Sequence, residues 1–193
     1  MKKIIGNPSQ KNKDLINFIN KTKINHYYIK NYKDFRDRII KNISSEDVVL
    51  DCGKAMREKF QDINCKSIET IDVNDYGNYP DIIFDLCSDD ANELQNRYDK
   101  IICIAVLEHV YDPFKAINNL KTMLKDNGVL YGYAPYIYHY HAPKDLEFQD
   151  YFRFSKDALS YLFREFKEVE LFPVRGRVSS SFNYMFPGRW KKY

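Results

Sequence analysis

The sequence predicts an α/β fold, a parallel sheet with helices on both faces, on two observations. From residue 47 onward, short apolar strand-like runs are separated by helical patterns, the arrangement of a sheet covered on both sides. The run VVLDC over 48–52 then breaks at Gly53 into a tight loop ahead of a helical stretch, which is how such sheets hold nucleotide-like cofactors.

Each element follows from its own pattern. Ahead of the core, KDLINFIN brings Leu15, Ile16, Phe18 and Ile19 together, and YKDFRDRIIKNI spaces Tyr32, Phe35, Ile39, Ile40 and Ile43 at helical intervals. Both read as packing helices. The core continues as strand DVVLDC, helix MREKFQDI, strand SIETIDV, strand DIIFDL, helix SDDANELQNRY and strand KIICIAVL. The helix expected over 113–124 has the clearest limits. Asp112 caps it, Pro113 fills a first-turn position that needs no N–H, and Phe114, Ile117, Leu120 and Leu124 form its apolar face. Asn127 and Gly128 are expected to stop it. A strand over 129–134, a helix over 156–163 and the strand EVELFPV complete the series. No internal repeat or low-complexity segment interrupts it.

The 193 residues, 44% hydrophobic and 30% charged, suit one globular domain. Its expected divisions are N-terminal helices over 1–45, a core over 46–186 and a tail over 187–193. No apolar run approaches the roughly 20 residues that cross a bilayer, and the N-terminus lacks the apolar stretch of a signal peptide, so a cytoplasmic location is expected. Cys52, Cys65, Cys87 and Cys103 form no CxxC pair and read as reduced, mostly buried thiols. The net charge of +3 conceals basic ends, +8 over 1–45 and +4 over 164–193, around a centre of −9. Solvated Lys-rich helix faces account for this more simply than a phosphate-binding rim. No basic cluster is interleaved with a nucleic-acid motif, so nucleic acid is not an expected partner.

In an open parallel sheet a ligand sits beyond the carboxyl ends of the strands, where strand order reverses. Those ends carry Asp51 and Gly53, then Asp72, Asp85, and Glu108 with His109. An acid ending the second core strand can accept from both hydroxyls of a ribose, and Asp85 can accept from an adenine amino group. Alone, each acid would read as a helix cap or loop residue; together they outline a binding edge. Beyond Pro135 runs a loop of about twenty residues, YIYHYHAPKDLEFQDYFRF, long enough to be functional and too aromatic to be disordered.

These residues resemble the class I S-adenosylmethionine-dependent methyltransferases, in the small single-domain branch whose fourth strand runs into an LEHV-x-DP segment. VLDCGKA resembles that family's first motif, ETIDV its ribose-binding acid, DIIFDL its adenine-side acid, and LEHVYDP with the following helix and strand its most specific segment. The similarity covers 47–172. It implies a Rossmann-like, seven-stranded, mostly parallel sheet ending in an antiparallel hairpin, the last strand near 179–186. It implies S-adenosylmethionine as cofactor, bound by Asp51, Gly53, Lys54, Ala55, Asp72, Val73, Asp85, Leu86, Ala105 and Glu108. Ala55 stands where the family's loop has a second glycine. A methyl there costs roughly 1 to 2 kcal/mol if the backbone is left-handed and nothing if it is helical. Lys54 or Arg57 can pair with the cofactor's carboxylate or simply begin a solvated helix.

Methyl transfer is an in-line displacement, so the protein must hold an acceptor opposite the methyl and, for a hydroxyl, take its proton. His109, His139 and His141 are the candidates; His26 reads as structural. His139 and His141 alternate with Tyr138 and Tyr140, which in extended backbone turns both imidazoles to one side. With Asp145 and Glu147 they could bind a metal, but the intervals match no familiar site and no metal is expected. Tyr136, His139, His141, Tyr151 and Arg153 are the expected acceptor contacts, the alternative being that the tyrosines merely pack and Arg153 pairs with Asp150 or Asp157. The expected acceptor is a small polar molecule, a saccharide or nucleotide-linked metabolite. Two other functions compete. A nicotinamide-dependent oxidoreductase would need G-x-G-x-x-G, which DCGKAMRE lacks. A non-catalytic scaffold or regulatory protein would keep the fold with an eroded cofactor loop.

Overall fold

The computed structural model describes residues 10–25, 29–53, 60, 63–144, 147–174 and 185. Helix α1 (Gln10–Lys21), strand β1 (Lys23–Ile24) and helix α2 (Tyr32–Lys41) precede the core, with Asn31 capping α2 by accepting from the Asp34 N–H at 3.0 Å. Then come β2 (Val48–Cys52), β3 (Ser67–Asp72), β4 (Ile82–Ile83), a 3₁₀ turn (Ala91–Leu94), β5 (Tyr98–Ile104), α3 (Pro113–Met123), β6 (Leu124–Tyr133), α4 (Lys156–Leu162) and β7 (Glu170–Leu171).

Five strands form a wholly parallel central sheet in the order β4-β3-β2-β5-β6. The chain therefore runs outward from β2 to β4 and then returns to the other side of β2. The sheet's apolar runs are explained by burial on both faces. Leu50, Cys52, Ile101 and Cys103 pack with Ile117, Leu120 and Met123 of α3, whereas Val49, Ile102 and Ile104 pack with Ile39 of α2, Phe60 and Ile63.

Several boundaries differ from the sequence reading. Leu124 takes extended backbone and pairs with Tyr98, so α3 ends at Met123, one residue short of the expected limit and four before Asn127, and flows straight into β6. Gly128 is needed for packing rather than for stopping the helix: a Cβ there would lie 2.9 Å from Leu124 Cδ2 and from the Lys125 carbonyl oxygen. The DIIFDL strand shrinks to two residues, after which Asp85 Oδ1 turns back to accept from the Cys87 N–H at 2.8 Å. The helix expected in SDDANELQNRY is a single 3₁₀ turn whose N-terminal Asp90 makes no side-chain cap. β7 leaves the central sheet to pair in parallel with β1, a strand the sequence pattern did not suggest. Among the described residues the seven strands are thus divided five and two. The helix MREKFQDI and the final strand near 179–186 fall largely outside the described residues. No described helix is long and apolar enough to cross a membrane.

α3 holds the turn after β4 through one buried side chain. Asn119, 3% exposed, donates to the carbonyls of Leu86 at 2.8 Å and Ser88 at 2.7 Å. Replacing it leaves two covered acceptors without donors, which costs about 1–3 kcal/mol. Asn119→Ala is accordingly expected to lower the urea midpoint with an unchanged m-value, and an unchanged midpoint would show that water replaces both bonds.

Candidate active site

The point where strand order reverses lies between β2 and β5, paired from Val49↔Lys100 to Cys52↔Cys103. Two backbone reversals meet there. Gly53, leaving β2, has φ +83°, and its N–H donates to the Ile71 carbonyl at 2.8 Å. A Cβ at Gly53 would lie 2.6 Å from Val106 Cγ2, so both the conformation and the space require glycine. Opposite it, Ala105 leaves β5 with φ +53° and its N–H donates to the Tyr133 carbonyl at 2.9 Å.

The acids at and after the strand ends have distinct environments. Asp51 is buried within β2. Asp72 ends β3, half-buried, with Oδ1 accepting from the Asn74 N–H at 3.0 Å. The following Val73 is exposed. Asp85 is half-buried beside the exposed Tyr111, while Leu86 belongs to the core. Lys54, Ala55, Arg57 and Asp145 lie outside the described residues.

The long loop is fastened at its base to the segment after β5. The Glu108 carbonyl accepts from the N–H groups of Tyr151 at 2.8 Å and Phe152 at 3.2 Å, and the Pro135 carbonyl accepts from the Phe154 N–H at 3.0 Å. Its far side reaches the β3 end, where Asn74 Nδ2 donates to the Glu147 carbonyl at 3.2 Å. Burial, and then a hydrogen bond with Glu147, push the Tyr76 hydroxyl up to about 12.

Inside the loop, Arg153 commits every donor it has. Nε donates to the Tyr138 carbonyl at 3.1 Å, Nη1 to Asp150 Oδ1 and the Phe152 carbonyl, and Nη2 to Asp150 Oδ2 at 2.7 Å and the His139 carbonyl at 2.9 Å. The guanidinium therefore braces the loop, and the Asp150 pairing that competed with acceptor contact is the arrangement found. The Asp150 side chain is fully covered, and the Arg153 hydrogen bonds hold its carboxyl well below the usual carboxylate range. Asp150 Oδ2 also accepts from the His141 N–H at 2.9 Å.

That brace aims His141 at His109. Their Nε2 atoms are 3.2 Å apart and their rings meet edge to face. Glu108, 1% exposed, lies alongside: its Oε1 is 3.9 Å from His109 Nε2, and its Oε2 has no hydrogen-bond partner. Burial raises the Glu108 carboxyl to about 7 and lowers the His109 imidazole. His139 does not join this pair as simple alternation would have it. Its ring stacks on Tyr138 at 4.4 Å, and Tyr138 also meets His141 edge-on at 5.0 Å. Tyr136 and Tyr151 are exposed.

Residues 24–166 match the methyltransferase domain family. The chain belongs to the class I methyltransferase family. The match takes in α2, the whole central sheet, the long loop and α4 of this methyltransferase-family chain. No curated protein sequence matches it. Its structure is similar to the crystal structure of the (4+2)-cyclase SpnF, at 14% identity and a TM-score of 0.49 over 78% of this chain, which spans 66% of that chain's length.

Sequence reasoning had the Asp150–Arg153 pairing only as the alternative to acceptor contact, and it placed Glu108 beside His109 at the cofactor edge without His141. The three-residue interval from Asp150 to Arg153 was the available signal. Gly53→Ala is expected to destabilise the fold by about 2–4 kcal/mol, combining a left-handed alanine with overpacking against Val106. Urea denaturation checks this; a loss below 0.5 kcal/mol, roughly the scatter of neutral substitutions, would mean the β2–β5 crevice is looser than described.

Proposed function

We propose that this protein is an S-adenosylmethionine-dependent methyltransferase acting on a small polar acceptor held against the 134–155 loop. The observation that carries the reading is the close approach of Gly53 to Val106 at the β2–β5 switch point, a cradle that any side chain would fill. The residues present fit the cofactor. Gly53 with Asp51, Ala105 and the segment after β5 would border its amino-acid end. Asp72 and Val73 would receive its ribose, and Asp85 and Leu86 would border its adenine. Lys54 and Ala55 continue the same loop and are proposed as further contacts. When bound, this cofactor supplies an electrophilic methyl group on a sulfonium.

The chain's own part is to bind, orient and accept a proton. Exposed Tyr136 and Tyr151, with the stacked Tyr138 and His139, offer ring faces to a saccharide or nucleobase. His109 and His141 turn their Nε2 atoms toward a common point, where an acceptor hydroxyl could give up its proton. Arg153 acts through the loop it braces rather than by touching the acceptor. Glu108, first expected at the cofactor edge, is better supported as part of the histidine cluster.

Titration calorimetry with S-adenosylmethionine tests the reading. Micromolar binding is expected, and absence of heat with either the cofactor or its demethylated product would favour a non-catalytic scaffold. Asp72→Ala is expected to weaken binding at least tenfold while leaving Tm nearly unchanged, because a charge-assisted ribose contact contributes roughly 1.5–3 kcal/mol. Unaltered affinity in that variant would overturn the cofactor geometry.

A further inference from the structure

Glu108, His109 and His141 bring one carboxylate oxygen and two imidazole nitrogens within 4.8 Å of one another. The hydrogen bonds behind the imidazoles fix their tautomers. His109 Nδ1 faces the Gln149 carbonyl, which can only accept, so Nδ1 carries the proton. His141 Nδ1 faces the His139 carbonyl at 3.2 Å and Asp150 Oδ2 at 3.1 Å, again acceptors only. In their neutral forms, therefore, both rings direct an Nε2 lone pair into the 3.2 Å space between them. Two lone pairs facing each other beside a buried carboxylate repel, and no donor among the described residues separates them. Glu108 Oε2, almost wholly buried, lacks any hydrogen-bond partner as well.

A cation held between the two nitrogens and the carboxylate relieves this repulsion. We propose that Glu108 and the Nε2 atoms of His109 and His141 bind one divalent first-row transition ion, of the zinc, manganese or iron(II) class. Tetrahedral bonds of about 2.1 Å place donor atoms about 3.4 Å apart; the nitrogens are 3.2 Å apart, His109 is 3.9 Å from Glu108 Oε1 and the whole set lies within 4.8 Å, so the Glu108 side chain closes by a small rotamer adjustment to complete the site. Two imidazoles and a carboxylate favour such an ion over magnesium or calcium, which prefer all-oxygen shells. The outer contacts fit too, since ligating histidines usually donate Nδ1–H to a carbonyl or carboxylate, here Gln149 and Asp150. Three protein donors leave a position open for water or an acceptor oxygen. Sequence spacing pointed to His139 and His141 with Asp145 and Glu147 rather than to this set, because its ligands are separated by the whole of α3 and β6 and His141 is delivered by the Asp150–Arg153 brace.

Existence of the site does not depend on the methyltransferase reading; only its consequence does, in that a bound ion would hold and acidify the acceptor hydroxyl in place of a free imidazole. The test uses the full chain stripped with a chelator. Zn²⁺ and Co²⁺ are expected to bind at one ion per chain with micromolar or tighter Kd, and Mg²⁺ at least 100-fold more weakly. His141→Ala and Glu108→Gln should each weaken Zn²⁺ binding at least 30-fold, whereas His139→Gln should leave it within threefold. Should the variants fail to fold, long-range ¹H–¹⁵N spectra of the unmodified protein decide: both rings should show Nδ1–H tautomers, with the Nε2 signals moving on addition of Zn²⁺. No stoichiometric binding, affinity insensitive to His141, or Nε2 signals that ignore the ion would each overturn the site. Absence of metal binding by the unsubstituted protein, with intact S-adenosylmethionine binding, would refute this site alone.

Discussion

The ion pair between Asp150 and Arg153 is the constraint on which the candidate site depends. A fully covered carboxylate beside a guanidinium is costly to bury and tolerable only when both groups are saturated with hydrogen bonds. Saturation is what the loop supplies: three main-chain carbonyls take the remaining donors of Arg153, and the His141 N–H takes part of the capacity of Asp150. A segment with no helix or strand among its described residues thereby acquires an internal frame. Its net contribution to stability is small, yet removing either partner would strand the other, at about 3–5 kcal/mol.

The frame matters because of where its ends are tied. Pro135 begins the loop at the carboxyl end of β6, and Glu108 anchors its return through two N–H bonds. Both ties lie next to the β2–β5 switch point, whose geometry is set by Gly53 against Val106 and by the left-handed Ala105. The parallel sheet, buried on both faces, can hold these strained residues because its core packing fixes the strand ends. Cofactor edge and histidine cluster are therefore parts of one construction, the first made by strand ends and the second delivered to it by the loop.

How much of this was legible in the sequence depended on the range of the forces involved. Strands such as VVLDC and KIICI, and the cap and proline that begin α3, express local preferences and were readable directly. The end of α3 falls within one residue of its expected limit, but strand pairing of Leu124 with Tyr98 stops it rather than Asn127 and Gly128. β1 exists only because β7 pairs with it across the length of the chain. Glycine at 53 and the row of acids followed from fold logic. The role of Arg153, and the meeting of His109 with His141, required knowing how an irregular loop closes on itself, which no periodicity encodes.

The Asp150–Arg153 brace builds the loop before any ligand arrives. Native-state hydrogen exchange at the amides of His141, Tyr151 and Phe154 tests it most directly, because each donates to a bond within or beneath the frame. In the ligand-free protein these three amides should be protected well above neighbouring loop amides, and in Asp150→Asn they should lose that protection together while amides of β2 and β5 keep theirs. Exchange of all three at unstructured rates in the unsubstituted protein would contradict the account.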